Sequence, residues 1–144
     1  MELTNDRLKH CKKIAERMME YVKTHTNIFT CKPEEMYILG LFHDIGYAFV
    51  DKQVEHEHVG GYLLKTQGYK YWKEVYYHGD PLAEYDSMEL RLLNFMDITT
   101  GPTGEIMTID ERIEDIKKRY GDNSVQTLKA IALADKIMRY SLPD

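Results

Sequence analysis

Residues 38–50 read Ile-Leu-Gly-Leu-Phe-His-Asp-Ile-Gly-Tyr-Ala-Phe-Val and form the most apolar part of the chain, interrupted by His43 and Asp44. A segment of this kind is buried, and burying a carboxylate without a partner is costly. Asp44 therefore requires a cation or several hydrogen-bond donors. A divalent metal meets this requirement with the fewest groups, while a role as a helix cap or a pairing with a basic side chain stays open.

The composition around this stretch indicates a small globular protein. The chain has 144 residues, 43% hydrophobic and 30% charged, which predicts one domain over residues 1–144. The net charge is −5 and the basic residues are scattered, which argues against a nucleic-acid or membrane partner. The longest apolar run, residues 37–50, is shorter than the roughly 18 residues of a membrane span. Two cysteines, expected as packed free thiols, and a charged N-terminal segment predict a cytoplasmic protein.

Apolar residues recur with helical spacing along the chain, and no segment has the period-two pattern of a strand. Asp86 with Glu89, and Thr108 with Glu111, have the spacing of capping boxes and predict two helix starts. The stripes predicted to face the core in the first and last helices are Leu8, Cys11, Ala15, Met18, Val22 and Leu128, Ile131, Ala134, Met138. The sequence thus predicts an all-α bundle of six to seven helices, at about 4–24, 33–47, 53–67, 69–77, 86–100, 108–120 and 123–140.

Further histidines and aspartates fall on or beside the inward faces of these helices. His10 lies next to the apolar stripe of the first helix, and His56 heads the apolar face of the third. His78 ends the fourth helix and Asp97 ends the stripe of the fifth. Each one alone is most simply a core histidine or a cap, but a set distributed over successive helices is how a bundle builds a metal site.

The same residues resemble the motifs of the HD superfamily of metal-dependent phosphohydrolases. The resemblance covers residues 7 to about 120, and its segments are 7–15 around His10, 41–46 around the His-Asp doublet, 56–64 with its His-x-x-x-Gly pattern, His78 and Asp97. It implies an HD-domain bundle in which His10, His43, Asp44 and Asp97 hold one metal, and Asp44 bridges to a second held by His56 and His78. A mixture of imidazole and carboxylate ligands favours Fe, Mn, Zn, Co or Ni.

The resemblance implies hydrolysis of a small phosphorylated molecule, such as a nucleotide, as a phosphoester or phosphoanhydride. A metal-bound hydroxide would attack phosphorus, with His43 and Asp44 at the centre of catalysis. Members with two additional histidines are binuclear and include enzymes that split diadenosine tetraphosphate. Two alternatives stay open: a mononuclear 5′-nucleotidase that does not use His56 and His78, and a noncatalytic metal-containing helical module that binds a nucleotide. A homodimer is also open.

The phosphate-binding residues are the least defined part of this expectation. Many family members have Lys after the HD-x-G motif, where this chain has Tyr47. Phosphate contact must then come from elsewhere, and sequence proximity suggests Arg7, Lys52 and Lys65, with Tyr47 lining the pocket.

Overall fold

The computed structural model describes residues 3–49, 56–140 and 142–144, and this part of the chain forms seven α-helices and a short 3₁₀ helix, with no strand. The predicted all-α fold is therefore confirmed. In chain order the elements are α1 (Asn5–Thr24), α2 (Pro33–Phe42), the 3₁₀ helix (Ile45–Ala48), α3 (His56–Thr66), α4 (Trp72–Tyr77), α5 (Met88–Ile98), α6 (Ile109–Tyr120) and α7 (Val125–Arg139).

An antiparallel pair formed by α1 and α2 lies at the centre of the fold. The two helices approach closely at Gly40, where an added Cβ would lie 2.7 Å from the Cα of Ala15. Only a residue without a side chain fits there. The close crossing brings the first turns of α1 next to the C-terminal end of α2, which places His10 beside the His-Asp doublet.

The buried apolar residues form two clusters. The main cluster joins the first five helices, α1 to α5, and consists of Ile14, Met18, Val22, Phe29, Cys31, Met36, Leu39, Leu64, Tyr71, Val75, Leu92, Leu93 and Met96. A smaller cluster of Ile98, Leu133, Ala134 and Ile137 attaches α7 to the end of α5, with Ile109 and Ile113 of α6 packed against it. The α6–α7 hairpin is therefore joined to the bundle at one edge.

The predicted core stripe of α1 is buried from Cys11 to Val22, whereas that of α7 is buried only at Ala134. Leu8, Leu128 and Met138 are exposed, although the spacing assigned them to the core. The buried face of α7 is instead built on Leu133, Ala134 and Ile137. Because the apolar contacts of α7 in the described part of the chain are made with the end of α5 and with α6, a narrower stripe than predicted is covered.

The helix predicted over residues 33–47 ends at Phe42. His43 Nδ1 donates to the carbonyl oxygen of Gly40 at 2.6 Å, and Asp44 leaves the helical conformation at φ −103° and ψ 17°. A 3₁₀ turn follows at once, so the doublet lies at a break between two helical segments. The helix is also less enclosed than its composition suggests, since Ile38 and Phe42 are exposed.

Helix starts agree with the sequence at α6 but not at α5. Thr108 and Glu111 form the predicted capping box. At α5 the N-cap is Ser87, whose hydroxyl accepts from the backbone N–H of Leu90. Asp86 instead makes a two-pronged ion pair with Arg91. A helix expected from residue 53 begins within the described residues at His56, and the short helix predicted from Tyr69 begins at Trp72.

No helix among the described residues combines the length and the apolar character needed to cross a lipid bilayer.

Candidate metal centre

Five helices bring the histidines and aspartates singled out in the sequence to one place. His10 comes from α1, the doublet follows α2, His56 is the first residue of α3, His78 follows α4, and Asp97 lies in the last turn of α5. Asp44 stands at the middle of the group, and its two carboxylate oxygens face different sets of residues.

The inner half of this cluster is formed by His10, His43 and Asp97 around Oδ2 of Asp44. His10 Nε2 lies 2.9 Å from Asp97 Oδ1 and 3.8 Å from Asp44 Oδ2. His43 Nε2 lies 3.3 Å from Asp44 Oδ2 and 3.5 Å from Asp97 Oδ1. Both histidines are buried, and the side chain of Asp97 is partly exposed.

The outer half is formed by His56 and His78 around Oδ1 of Asp44. The Nε2 atoms of His56 and His78 lie 3.2 and 3.4 Å from this oxygen. They are 3.3 Å from each other. Asp44 therefore faces two imidazoles with one oxygen and two with the other, which is the arrangement of a carboxylate shared between two sites.

Each of the four imidazoles has Nδ1 close to an acceptor and Nε2 directed at the cluster. The Nδ1 neighbours are the carbonyl oxygens of Gly101 for His10 (2.9 Å), Gly40 for His43 (2.6 Å) and Val75 for His78 (2.5 Å), and a carboxylate oxygen of Glu57 for His56 (3.0 Å). Because a carbonyl can only accept, Nδ1 carries the proton in three of them. Histidines that bind metals are oriented in this way.

The donor atoms of the cluster fit a divalent metal. With the proton on Nδ1, the Nε2 atoms present lone pairs to carboxylate oxygens and to one another, so a cation or additional protons must separate them. His43 Nε2 is buried and has no hydrogen-bond partner among the described residues. Two ligand atoms at about 2.1 Å from one ion are about 3.0 to 3.4 Å apart in octahedral or tetrahedral geometry. Most of the observed separations are close to that range, and groups of residues in both halves can hold an ion.

The electrostatics of the cluster show that it favours positive charge next to the carboxylates. Burial alone would raise the pKa of Asp44, but the positive charge of His43 holds it well below its usual range. Burial would lower the pKa of His43, yet the attraction of Asp44 raises it well above normal. The hydrogen bond from His10 and the charge of His43 outweigh burial at Asp97 and lower its pKa as well.

Arg7 and Tyr47 adjoin the cluster, as the sequence suggested. Arg7 Nη1 lies 3.0 Å from Asp44 Oδ2, and its guanidinium carbon is 3.5 Å from the centroid of the Tyr47 ring. Tyr47 stacks on His56 with centroids 4.0 Å apart. Tyr47 thus supports both a cation and a histidine of the cluster.

Two other candidates for phosphate binding do not join this group. Lys65 does not line the cleft above the cluster, and its ammonium lies 4.8 Å from the centroid of Trp72. Lys52 falls outside the described residues. Cys11 is buried as expected, and burial raises the pKa of its thiol to about 12, which keeps it neutral.

The position of His56 depends on a close backbone approach. A Cβ on Gly46 would lie 1.7 Å from the carbonyl oxygen of His56, so the 3₁₀ helix can contact the start of α3 only through glycine. Gly61 similarly lies against the backbone of Tyr76, where a Cβ would be 2.6 Å from Cα. These contacts hold α3 between the doublet and α4.

A cleft of about 390 Å³ opens above the cluster. One wall comes from the start of α1, and another from α6 and α7, which contribute the basic residues Arg112, Arg119 and Lys129. None of these three was a candidate from the sequence. Arg112 and Arg119 are seven residues apart and share one face of α6, a signal that becomes informative only when the hairpin is known to cover the cleft.

Comparison with known families agrees with the geometry. The family model named HD domain matches residues 7–139, nearly the whole chain. The protein belongs to the HD-domain family, whose members are typically metal-dependent hydrolases. Comparisons with curated proteins and with solved structures give no match.

Proposed function

We propose that this protein is a binuclear phosphohydrolase that cleaves a phosphoester or phosphoanhydride of a nucleotide or a similar small molecule. The observation that carries the proposal is the position of Asp44, which presents one oxygen to His10 and His43 and the other to His56 and His78. A mononuclear centre does not require His56 and His78 as ligands, yet the Nε2 atoms of both point at the carboxylate of Asp44.

In this proposal the inner half holds one divalent ion through His10, His43, Asp44 and Asp97, and the outer half holds a second through His56, His78 and Asp44. When bound, such ions lower the pKa of water and stabilise the charge that develops on phosphoryl oxygens. Ions with an affinity for imidazole, namely Fe, Mn, Zn, Co or Ni, suit this ligand set better than Mg or Ca.

The chain itself orients and encloses the reacting group. Carbonyl oxygens of Gly101, Gly40 and Val75 fix three imidazoles in the tautomer that leaves Nε2 without a proton. Arg7 lies at the mouth of the inner half, held over the ring of Tyr47. We assign to Arg7 a contact with a phosphoryl oxygen, since its guanidinium lies 3.0 Å from Asp44 Oδ2.

Turnover measurements test this assignment. Protein reconstituted with each candidate metal is expected to release phosphate or a nucleoside phosphate from at least one compound in a panel of nucleotides and dinucleoside polyphosphates. A chelator and the Asp44→Asn variant should both abolish the release. The matched control is Asp86→Asn, which makes the same chemical change at an exposed ion pair far along the chain.

Two results would contradict the proposal. A protein that gains thermal stability from nucleotides but hydrolyses none of them is a binding module. Full turnover in His78→Ala with a single bound ion would instead indicate a mononuclear nucleotidase.

A further inference from the structure

The cleft has a basic wall that the cluster does not need for holding ions. Arg112, Ile116 and Arg119 lie at positions i, i+4 and i+7 of α6 and all line the cleft. Lys129 of α7 lines it beside them, with its ammonium 3.7 Å from a carboxylate oxygen of buried Glu57. We use the term basic wall for Arg112, Arg119 and Lys129.

The two guanidinium groups of the basic wall are held in place from behind. Asp115 Oδ2 lies 3.0 Å from Arg119 Nε and 3.5 Å from Arg112 Nη1. Asp115 does not line the cleft, so it orients both arginines without occupying the space in front of them. Arg112 Nε is buried and has no hydrogen-bond partner in the described part of the chain. The Arg112 guanidinium therefore keeps hydrogen-bonding capacity that Asp115 does not use.

The charge of the cleft leads to the same conclusion. Its described lining contains four cationic side chains, the basic wall and Arg7, against the four carboxylates of Asp6, Asp44, Glu57 and Asp97. The lining is neutral before any ion binds, although the chain as a whole carries −5. Two divalent ions would therefore leave an excess of about three positive charges at the cleft once Asp115, which pairs with both arginines, is counted. One phosphoryl group does not balance that excess.

We infer that the basic wall binds phosphate groups of the substrate other than the one at the His/Asp cluster, so the substrate is an oligophosphate and not a monophosphate. This inference rests on the proposed function, because it takes the cluster as the place of cleavage. Guanidinium groups match phosphate oxygens with paired N–H donors, which favours phosphate over an uncharged sugar or base at this wall.

Equilibrium binding of two inorganic probes tests the inference without turnover. Imidodiphosphate has two linked phosphate groups and an unreactive bridge, and orthophosphate has one. The metal-loaded wild type should bind imidodiphosphate at least about 10-fold more tightly than orthophosphate in titration calorimetry. Arg119→Met should weaken imidodiphosphate binding about 10-fold and change orthophosphate binding less than about 2-fold.

Matched variants make the result specific. Lys118→Met removes one positive charge from an exposed position of the same helix that does not line the cleft, and it should bind both probes like the wild type. Arg112→Met repeats the test at the less exposed arginine. If that variant does not fold, Arg119→Met still tests the inference, because the side chain of Arg119 is about half exposed and its replacement should not disturb folding.

Equal affinity of the wild type for the two probes would overturn the inference, as would imidodiphosphate binding by Arg119→Met at the level of Lys118→Met. Failure of the proposed function is a separate result. A protein that shows the expected difference between probes but hydrolyses no phosphate compound has an oligophosphate site without being a hydrolase.

Discussion

The two halves of the cluster share one carboxylate but are supported by different parts of the fold. The inner half is carried by α1, α2 and α5, helices that supply much of the main apolar cluster. Arg17 adds a tie between α1 and the end of α5, donating to the carbonyl and hydroxyl oxygens of Thr99 and to the hydroxyl of Thr100. The ligands of this half are therefore held by the same contacts that hold the bundle together.

The outer half depends on a smaller set of contacts. His56 and His78 are carried by α3 and α4, which pack on each other and reach the doublet through the glycine contact at Gly46. Each of these two helices contributes one residue to the main apolar cluster, Leu64 and Val75, whereas α1 and α5 contribute three each. The difference suggests that the outer half can be lost while the inner half and the fold persist, whereas damage to the inner half affects the fold.

The largest effect is expected where the two halves meet. Asp44→Asn removes the charge that both halves share, so the metal content should fall from about two equivalents per chain to nearly none. Hydrolysis should fall about 10³-fold or more with it. Elemental analysis of purified protein and a phosphate-release assay measure the two quantities. A variant that keeps one full equivalent would show that Asp44 is not shared.

A more selective effect is expected from His78→Ala, which removes one ligand of the outer half. The metal content should fall to about one equivalent because only Asp44 and His56 remain for the second ion. His58→Ala is the matched control, since His58 lies on the exposed side of α3 and stacks on Tyr76. Loss of both ions from His78→Ala would refute the independence of the inner half.

Two glycine-to-alanine substitutions test the difference between the two halves by disturbing the backbone packing beneath each of them. Gly46→Ala forces a Cβ against the carbonyl oxygen of His56, so it should empty the outer half while the inner half keeps its ion. Gly40→Ala forces apart the α1–α2 crossing under the inner half and should lower the free energy of unfolding by about 1–3 kcal/mol. Denaturant titration and metal analysis of both variants separate the two outcomes. Identical behaviour of the two variants would remove the proposed distinction.

The smallest effect is expected at α6, which belongs to neither half. Thr108→Ala deletes the capping hydroxyl and should cost about 1 kcal/mol of stability, with the metal content unchanged. Thr108→Ser keeps the hydroxyl and should restore most of the loss. A change in metal content in Thr108→Ala would mean that the α6–α7 hairpin also supports the cluster.

The sequence predicts which side chains form the site better than it predicts where the helices that carry them begin and end. A polar doublet within an apolar segment, together with histidines on inward faces, is enough to anticipate which side chains meet. The periodicity did not show that α2 stops before His43, because the return bond from His43 Nδ1 to Gly40 depends on a side-chain conformation that composition does not encode.

Neighbouring residues of similar chemistry also limited what could be predicted. Asp86 and Ser87 are both good N-caps, and the choice between them follows from the ion pair that Arg91 offers to Asp86. Closeness in sequence to the motifs favours Lys65 as a phosphate ligand, but on α3 this residue lies beside Trp72 and outside the cleft. Arg112 and Arg119 reach the cleft from far along the chain, through packing that no local pattern reveals.

The most direct test of the shared carboxylate is anomalous diffraction from crystals of the metal-reconstituted protein, recorded at the absorption edge of the bound metal. The account predicts two peaks on opposite sides of the Asp44 carboxylate, one beside Nε2 of His10 and His43 and the other beside Nε2 of His56 and His78. A single peak that leaves His56 and His78 without an ion, or no peak at the cluster, would contradict it.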